Sequence, residues 1–284
     1  MKNTLLLALL AVAGLPAPAA WAEPGVTDTE IRIGDVNMMT GPASFIGQAV
    51  SVGSKVAAAE INAAGGINGR KIVIRTEDDG YIPARSFQGL KKLLEVDDIF
   101  ALNGTSGTAN VLAMMPLITK ANLPTVVTTA PNELVYTPVR PSVFTIGASY
   151  EAAFYAQLKY IHENTEPKNA VYGLIRQDDD FGVAVEAGYN RAVKEFGLKD
   201  GIRLRYKKGQ ANLGAEVLQM RQAGVNVLAN GAIISSAANV LSEARKLGME
   251  LQVADVWSER SCRHPRSCWR LPATRSLSAT TSPP

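Results

Sequence analysis

The sequence predicts an α/β protein built as two consecutive lobes, each a largely parallel sheet covered by helices. Three observations carry this. From Ile31 onward, short apolar runs of strand length alternate with amphipathic segments of helical length. The alternation restarts near Ser149, so the chain reads as two series with a join at about Ile146 to Tyr150. Both cysteines, Cys262 and Cys268, lie close to the C-terminus, so the body of the chain must stand on its apolar core and not on disulfides. A chain of 284 residues with 46% hydrophobic content suits one large domain or two smaller ones, and a net charge of +3 points to neither nucleic acid nor a membrane surface.

Taken in order, residues 1–22 read as a secretion leader: Lys2 supplies the basic start, Leu5 to Leu15 the apolar stretch, and Ala20-Trp21-Ala22 a small-x-small cleavage site. This predicts a mature chain starting at Glu23 outside the cytoplasm, with no cysteine near Ala22 to carry a lipid. Ile31 to Asn37 reads as the first strand. The helix after it, Phe45 to Ala64, places Val52, Val56, Ala59 and Ala63 on one side, which predicts that side as the buried one; Gly65 and Gly66 stop it. Ile72 to Asp78 is a strand, Pro83 to Glu95 a helix with Phe87, Leu90 and Leu94 inward, and Ile99 to Leu102 a third strand. Next comes Asn103 to Asn110, NGTSGTAN, read as a hydroxyl-rich loop before a helix with Val111, Met114 and Ile118 inward, in which Pro116 is expected to kink the helix or shift its start. Thr125 to Val127 and Val143 to Thr145 complete about five strands.

The second series runs through a helix with Phe154, Leu158 and Ile161 inward, a strand at Ala170 to Arg176, and a helix from Phe181 to Phe196 closed by Gly197. Strands at Arg203 to Arg205, Val225 to Asn230 and Leu251 to Val253 follow, with Val240, Ala244 and Leu247 on the helix between the last two. From Asp255 the character changes: residues 255–284 hold both cysteines, Trp257 and Trp269, five arginines and no lysine, and they show no apolar period. That segment is expected to be an out-of-frame or otherwise aberrant, disordered end, which would leave the second half of the fold incomplete.

Enzyme signatures are scarce. Gly104-Thr-Ser106-Gly-Thr108 misses the nucleophile-elbow pattern at its last position, and the only histidines are His162 and His264, so no catalytic triad is expected. Gly65 to Gly69 follows a helix and precedes a strand, the reverse of a phosphate loop. Glu77-Asp78-Asp79 and Asp178-Asp179-Asp180 match no calcium-loop spacing; strand-end solvation and a helix cap by Asp180 explain them. No metal or cofactor is expected. What remains are three loops predicted at strand carboxyl ends, where ligands of doubly wound sheets gather: the one holding Ser106 and Thr108, the one from Val127 to Asn132, and Asp178 to Phe181. Free backbone amides and hydroxyls at such a helix start suit a small anion, most simply a carboxylate.

These residues also carry a resemblance. MTGPASFIGQ (39–48), AAAEINAAGGINGRKI (57–72), EDDGYIPARS (77–86), NGTSGTAN and TTAPNEL (128–134), with RQDDDFG (176–182) and SEARKLGMELQV (242–253), resemble periplasmic binding proteins of the leucine/isoleucine/valine type over about residues 29 to 254. The resemblance implies two Rossmann-like lobes of a type I periplasmic binding protein, here incomplete, that close over a solute, the first at 23–148 and the second at 149–254. It implies a monomer that carries a small solute to the permease and ATPase subunits of an ABC importer and does no chemistry of its own. A ligand-sensing domain, or a non-functional fragment, is the alternative. The family's carboxylate-holding loop falls on Ser106 to Thr108, its second hydroxyl and backbone contacts on Val127, Thr128 and Thr129, and its covering aromatic on Phe181. The acidic residues that meet a ligand ammonium in amino-acid binders fall on Ser149 and on Ser235 or Ser236. That departure favours an organic or aromatic acid over an α-amino acid.

Overall fold

The computed structural model describes residues 23–256. The expectations for the leader and for residues 257–284 lie outside the described residues. Within them the chain forms two parallel sheets. The first, in the order β2-β1-β3-β4-β5, is built from β1 (Glu30–Asn37), β2 (Lys71–Asp78), β3 (Ala101–Ser106), β4 (Thr125–Thr129) and β5 (Val143–Thr145). The second, β7-β6-β8-β9, is built from β6 (Tyr172–Gln177), β7 (Asp200–Tyr206), β8 (Val227–Gly231) and β9 (Gln252–Asp255). Every paired strand runs parallel, because each connection carries the chain back along a helix. The helices are α1 (Ser44–Ala63), α2 (Pro83–Glu95), α3 (Thr108–Lys120), the short α4 (Glu133–Tyr136), α5 (Tyr150–Tyr160), α6 (Asp180–Phe196), α7 (Gly214–Gln222) and α8 (Ile234–Lys246). Strand order reverses beside β1 in the first sheet and beside β6 in the second, and such reversals leave crevices at the carboxyl ends of the strands.

Alternation along β1 shows how the first sheet is filled. Val36 points to the side of α2 and α3, joining Leu90, Leu93, Leu102, Val111, Met114, Ile118 and Val127 in one buried cluster. Asp35 and Asn37 point to the other side, under α1, where the Asn37 amide bonds to the Asp35 carboxylate and to Gly104 O at 2.9 Å. Burial pushes the Asp35 carboxyl above the usual carboxylate range, against the opposing hydrogen bonds of Ser51, Asn37 and Thr76. In the second lobe Ile175, Leu228, Val217, Met220 and Val240 make a separate cluster. A third cluster joins the lobes, since Met38, Ala43 and Tyr81 of the first pack with Phe154, Phe181, Val185 and Ile233 of the second.

Several expectations change. In α1 the buried residues are Gly47, Ser51 and Ala58, while Val52 and Val56 are 60% and 52% exposed. The small row lies inward because the helix sits close to the chain: a Cβ at Gly47 would stand 2.4 Å from Met38 O. In α2 the inward row is Ser86, Gly89, Leu90 and Leu93, with Phe87 and Leu94 half-buried at its flanks. NGTSGTAN is not a loop: β3 runs through Ser106, Gly107 alone intervenes, and α3 begins at Thr108. The start of helix α3 is not shifted by Pro116: the helix begins at Thr108 and runs through the proline, which lies exposed within it. Asp179, and not Asp180, caps α6, accepting the Gly182 amide at 3.1 Å. Asp79 is buried and is not a solvated strand end. Strand β9 includes Asp255, which pairs with Asn230, so the last sheet strand reaches one residue into the segment where the composition changes. Helix α7 has no counterpart in the sequence reading.

Candidate functional site

The carboxyl ends of the two sheets face one another across a small hollow. Met38 comes from beyond β1, Tyr81 from beyond β2, Gly107 and Thr108 from the β3–α3 junction, and Thr129 from the end of β4; the second lobe supplies Tyr150, Phe181 and Ile233. Its cavity volume is about 20 Å³, room for a single water. A second cavity of about 310 Å³ shares Thr129 and Tyr150 with it and continues along Ile146, Gly147, Ala153 and Phe154 to Val256.

The backbone around β3 determines which hydroxyls remain available. Gly104 adopts φ +85°, and the pairing of β3 with β4 is irregular on both sides of Thr105. This bulge turns Gly104 O into an acceptor for the Asn37 amide at 2.9 Å, the Thr128 hydroxyl at 3.0 Å and the Ser106 hydroxyl at 3.3 Å. Ser106 and Thr128 are therefore spent on the main chain. Thr108 and Thr129 are not: both hydroxyls are buried without a hydrogen-bond partner, and Thr108 is 2% exposed. The phenol of Tyr150 gives its one proton to Thr129 O at 2.8 Å, which leaves its oxygen as an acceptor beside the Thr108 hydroxyl.

Helix α3 has no side-chain cap. Its N-cap is Gly107 at φ +82°, and the first intrahelical bond runs from Val111 N to Gly107 O. The amides of Thr108, Ala109 and Asn110 precede that bond, and among the described residues no acceptor meets them. Gly107 is needed at this point, because a Cβ there would stand 2.9 Å from the Tyr81 ring. Free amides, the positive end of a 13-residue helix and two unpaired hydroxyls together make a cradle for a negative group.

The walls are apolar or aromatic. Phe181 stands edge-on to Tyr150, ring centres 4.9 Å apart. Tyr81 is held in the left-handed region, φ +64°, by Asp79, which accepts the Tyr81 amide at 2.7 Å. The other Asp79 oxygen takes the Ser86 hydroxyl at 2.7 Å and the Asn110 amide at 2.9 Å, so one carboxylate fixes the turn and the start of both flanking helices. From the second lobe, Gln177 donates to the Tyr81 hydroxyl at 3.1 Å, and Lys208 lies 3.3 Å over the ring centre and bonds to Tyr81 O. Burial pushes the Lys208 ammonium below the usual lysine range, opposed by Asp179 and Asp79. Burial pushes the Tyr81 and Tyr150 phenols above the tyrosine range. Further bridges between lobes run from Asn132 to Asp180 O at 3.0 Å and from Ser235 to Pro42 O at 3.3 Å.

Of the residues singled out from sequence, Thr108, Thr129 and Phe181 line the hollow, and Thr128 lines the neighbouring cavity. Ser106 is turned to Gly104, and Val127 belongs to the first lobe's core. Ser149 caps α5 by accepting the Ala152 amide at 3.2 Å, and Ser236 is buried beside Tyr206. Met38, Tyr81, Tyr150, Ile233 and Lys208 were not anticipated. Tyr81 had a signal, since an aromatic directly after a Gly at a strand's carboxyl end is placed to reach a cleft; Lys208 had none. Among the described residues no group of three His, Cys, Asp or Glu is placed to hold a metal ion, and no helix is long and apolar enough to cross a membrane.

Comparison with known proteins agrees with this architecture. A Leu/Ile/Val-binding protein homolog from Brucella suis is 24% identical over 250 residues, covering 85% of this chain and 61% of its own length. A substrate-binding periplasmic protein from Ralstonia solanacearum superposes with a TM-score of 0.73 at 26% identity, covering 79% of this chain and 63% of its own. A fatty acid ABC transporter substrate-binding protein from Thermomonospora curvata gives 0.73 at 22% identity, covering 81% and 58%. The chain thus spans about three fifths of the length of such relatives. With the periplasmic binding protein family matching residues 30–258, this chain belongs to that family.

Proposed function

We propose that the chain is an extracytoplasmic solute-binding protein that holds a small carboxylate-bearing molecule, an amino acid or an organic acid, between its two lobes and passes it unchanged to an ABC importer. The observation that carries this is the pair of buried, unpartnered hydroxyls, Thr108 and Thr129, beside the uncapped start of α3. Burying a hydroxyl without a partner costs about 1–3 kcal/mol, and a carboxylate between the two would satisfy both while facing the free amides and the helix dipole. Among the described residues that line the hollow no nucleophile adjoins a base, and the ionisable side chains there are the phenols of Tyr81 and Tyr150, a composition for holding a molecule and not for transforming it.

Membership of the family leaves the solute open, since the Brucella relative is named for leucine, isoleucine and valine and the Thermomonospora protein for a fatty acid. The binding residues proposed are Thr108, Thr129 and Phe181, with Tyr81 and Tyr150 as walls. Isothermal titration of the full chain with a panel of amino acids and organic acids is the test. Binding of at least one carboxylate, lost when the same compound is presented as its methyl ester, is the expected result. Equal binding of acid and ester overturns the reading.

A further inference from the structure

Two spaces share Thr129 and Tyr150, and they differ more than tenfold in size. The one at the start of α3 holds about 20 Å³, room for one water-sized group such as a single carboxylate oxygen. The other, at about 310 Å³, reaches the lower end of the range of small-molecule sites. Its walls beyond Thr129 are Pro131, Ile146, Ala153, the ring of Phe154, and Val256. Neither space is lined by an acidic side chain among the described residues. Asp79 and Asp179 lie outside both linings and accept hydrogen bonds there, Asp79 from the Tyr81 amide, Ser86 and Asn110, and Asp179 from Gln177 and the Gly182 amide. An ammonium in either space would meet no lining carboxylate, and a buried charge without a paired partner is strongly disfavoured.

We infer that the ligand is a monocarboxylate with an uncharged apolar body and no α-ammonium, its carboxylate at Thr108, Thr129 and the α3 amides and its body lying past the Tyr150 ring in the larger cavity. This rests on the carboxylate reading above and adds to it both a second subsite and the exclusion of amino acids. The head is fixed by charge and hydrogen bonds, and the body by removal of apolar surface from water, so affinity grows with the length of the body.

The test is equilibrium binding of the full chain to acetate, 4-methylpentanoate, leucine, 3-phenylpropionate and octanoate. Leucine and 4-methylpentanoate share a carbon skeleton and differ by the amine alone. Expected is an affinity that rises from acetate to 3-phenylpropionate by about tenfold or more, as burial of two or more methylene equivalents gives, with 4-methylpentanoate binding more tightly than leucine by at least a similar factor. Ala153→Phe, which fills the larger cavity from α5, is expected to weaken 3-phenylpropionate and octanoate about tenfold while leaving acetate within about twofold; Ala153→Leu gives the same ordering at a smaller size if the Phe variant fails to fold. Acids that bind the unaltered chain with no dependence on length, or that bind Ala153→Phe and Ala153→Leu undiminished, overturn the second subsite while the carboxylate reading stands. Leucine binding as tightly as 4-methylpentanoate overturns the exclusion of the ammonium. Failure of every acid to bind overturns the carboxylate reading itself, and this inference with it.

Discussion

Replacing Thr108 by Val removes one hydroxyl and keeps the shape of the side chain, and it should move stability and affinity in opposite directions. Thr108 is 2% exposed and its Oγ has no hydrogen-bond partner. Burial of that oxygen costs about 1–3 kcal/mol, and Thr and Val differ little in helix propensity. The variant is therefore expected to melt higher than the parent without ligand, by about 2–4 °C for each kcal/mol regained in a chain of this size. Binding should change the other way. A hydrogen bond to a charged group contributes about 1.5–3 kcal/mol, so affinity for 3-phenylpropionate should fall by roughly ten- to hundredfold at 1.4 kcal/mol per tenfold. Calorimetry in the absence of ligand and titration in its presence, on the same preparation, read both quantities. A variant that melts lower than the parent would show that the Thr108 hydroxyl is held structurally by the neighbouring Tyr150 phenol, and an undiminished affinity would remove Thr108 from the site.

Gly107→Ala places a Cβ 2.9 Å from the Tyr81 ring at φ +82°; a left-handed non-glycine residue costs about 1–2 kcal/mol, which chemical denaturation should register together with weaker binding. Lys208→Met keeps the apolar stem and removes the ammonium over Tyr81; loss of about 0.5–2 kcal/mol of cation–π attraction should weaken binding by roughly two- to thirtyfold, as titration reads it. Burial pushes the Tyr206 phenol up to about 12 from its ordinary 10.0. A raised folded-state value means that the stability is fully present below pH 10.0 and is lost as the pH climbs toward about 12. Denaturation midpoints should accordingly fall across that window, and Tyr206→Phe should flatten the fall. Val52→Lys and Phe144→Lys, on exposed positions, should leave the stability within about 0.5 kcal/mol of the parent, as chemical denaturation reads it.

The order of elements was legible because strands of a doubly wound lobe are buried on both faces and read as short apolar runs. Val111, Met114 and Ile118 were placed inward from spacing alone, and all three are fully buried. Helix α1 shows where spacing misleads. It carries two plausible rows, and the valine row is the more apolar, yet the sheet takes the row of Gly47, Ser51 and Ala58 because close approach to Met38 leaves no room for a larger residue. Which row faces inward is set by distance to the sheet, a quantity that no local pattern encodes. The hydroxyls around the cleft divide for a similar reason. Ser106, Thr108, Thr128 and Thr129 look alike in sequence, and only the positive φ of Gly104, which turns one carbonyl toward three donors, separates those that are satisfied from those that are not. The Lys208 contact joins positions 127 residues apart and follows from the closure of one lobe on the other.

Tyr81 is covalently part of the first lobe, but its ring is buried among side chains of the second and is gripped there by Gln177 and Lys208. Separating the lobes therefore means wetting an aromatic surface and stripping an ammonium of its π-cloud and its carbonyl. The contact between the lobes is thus stabilised by the protein's own residues. For a solute held between the lobes as proposed, that contact raises the apparent affinity of every compound by the same factor and leaves the ratio between a good fit and a poor one unchanged. A smaller residue at position 81 would loosen the hold of one lobe on the other and weaken all such compounds alike.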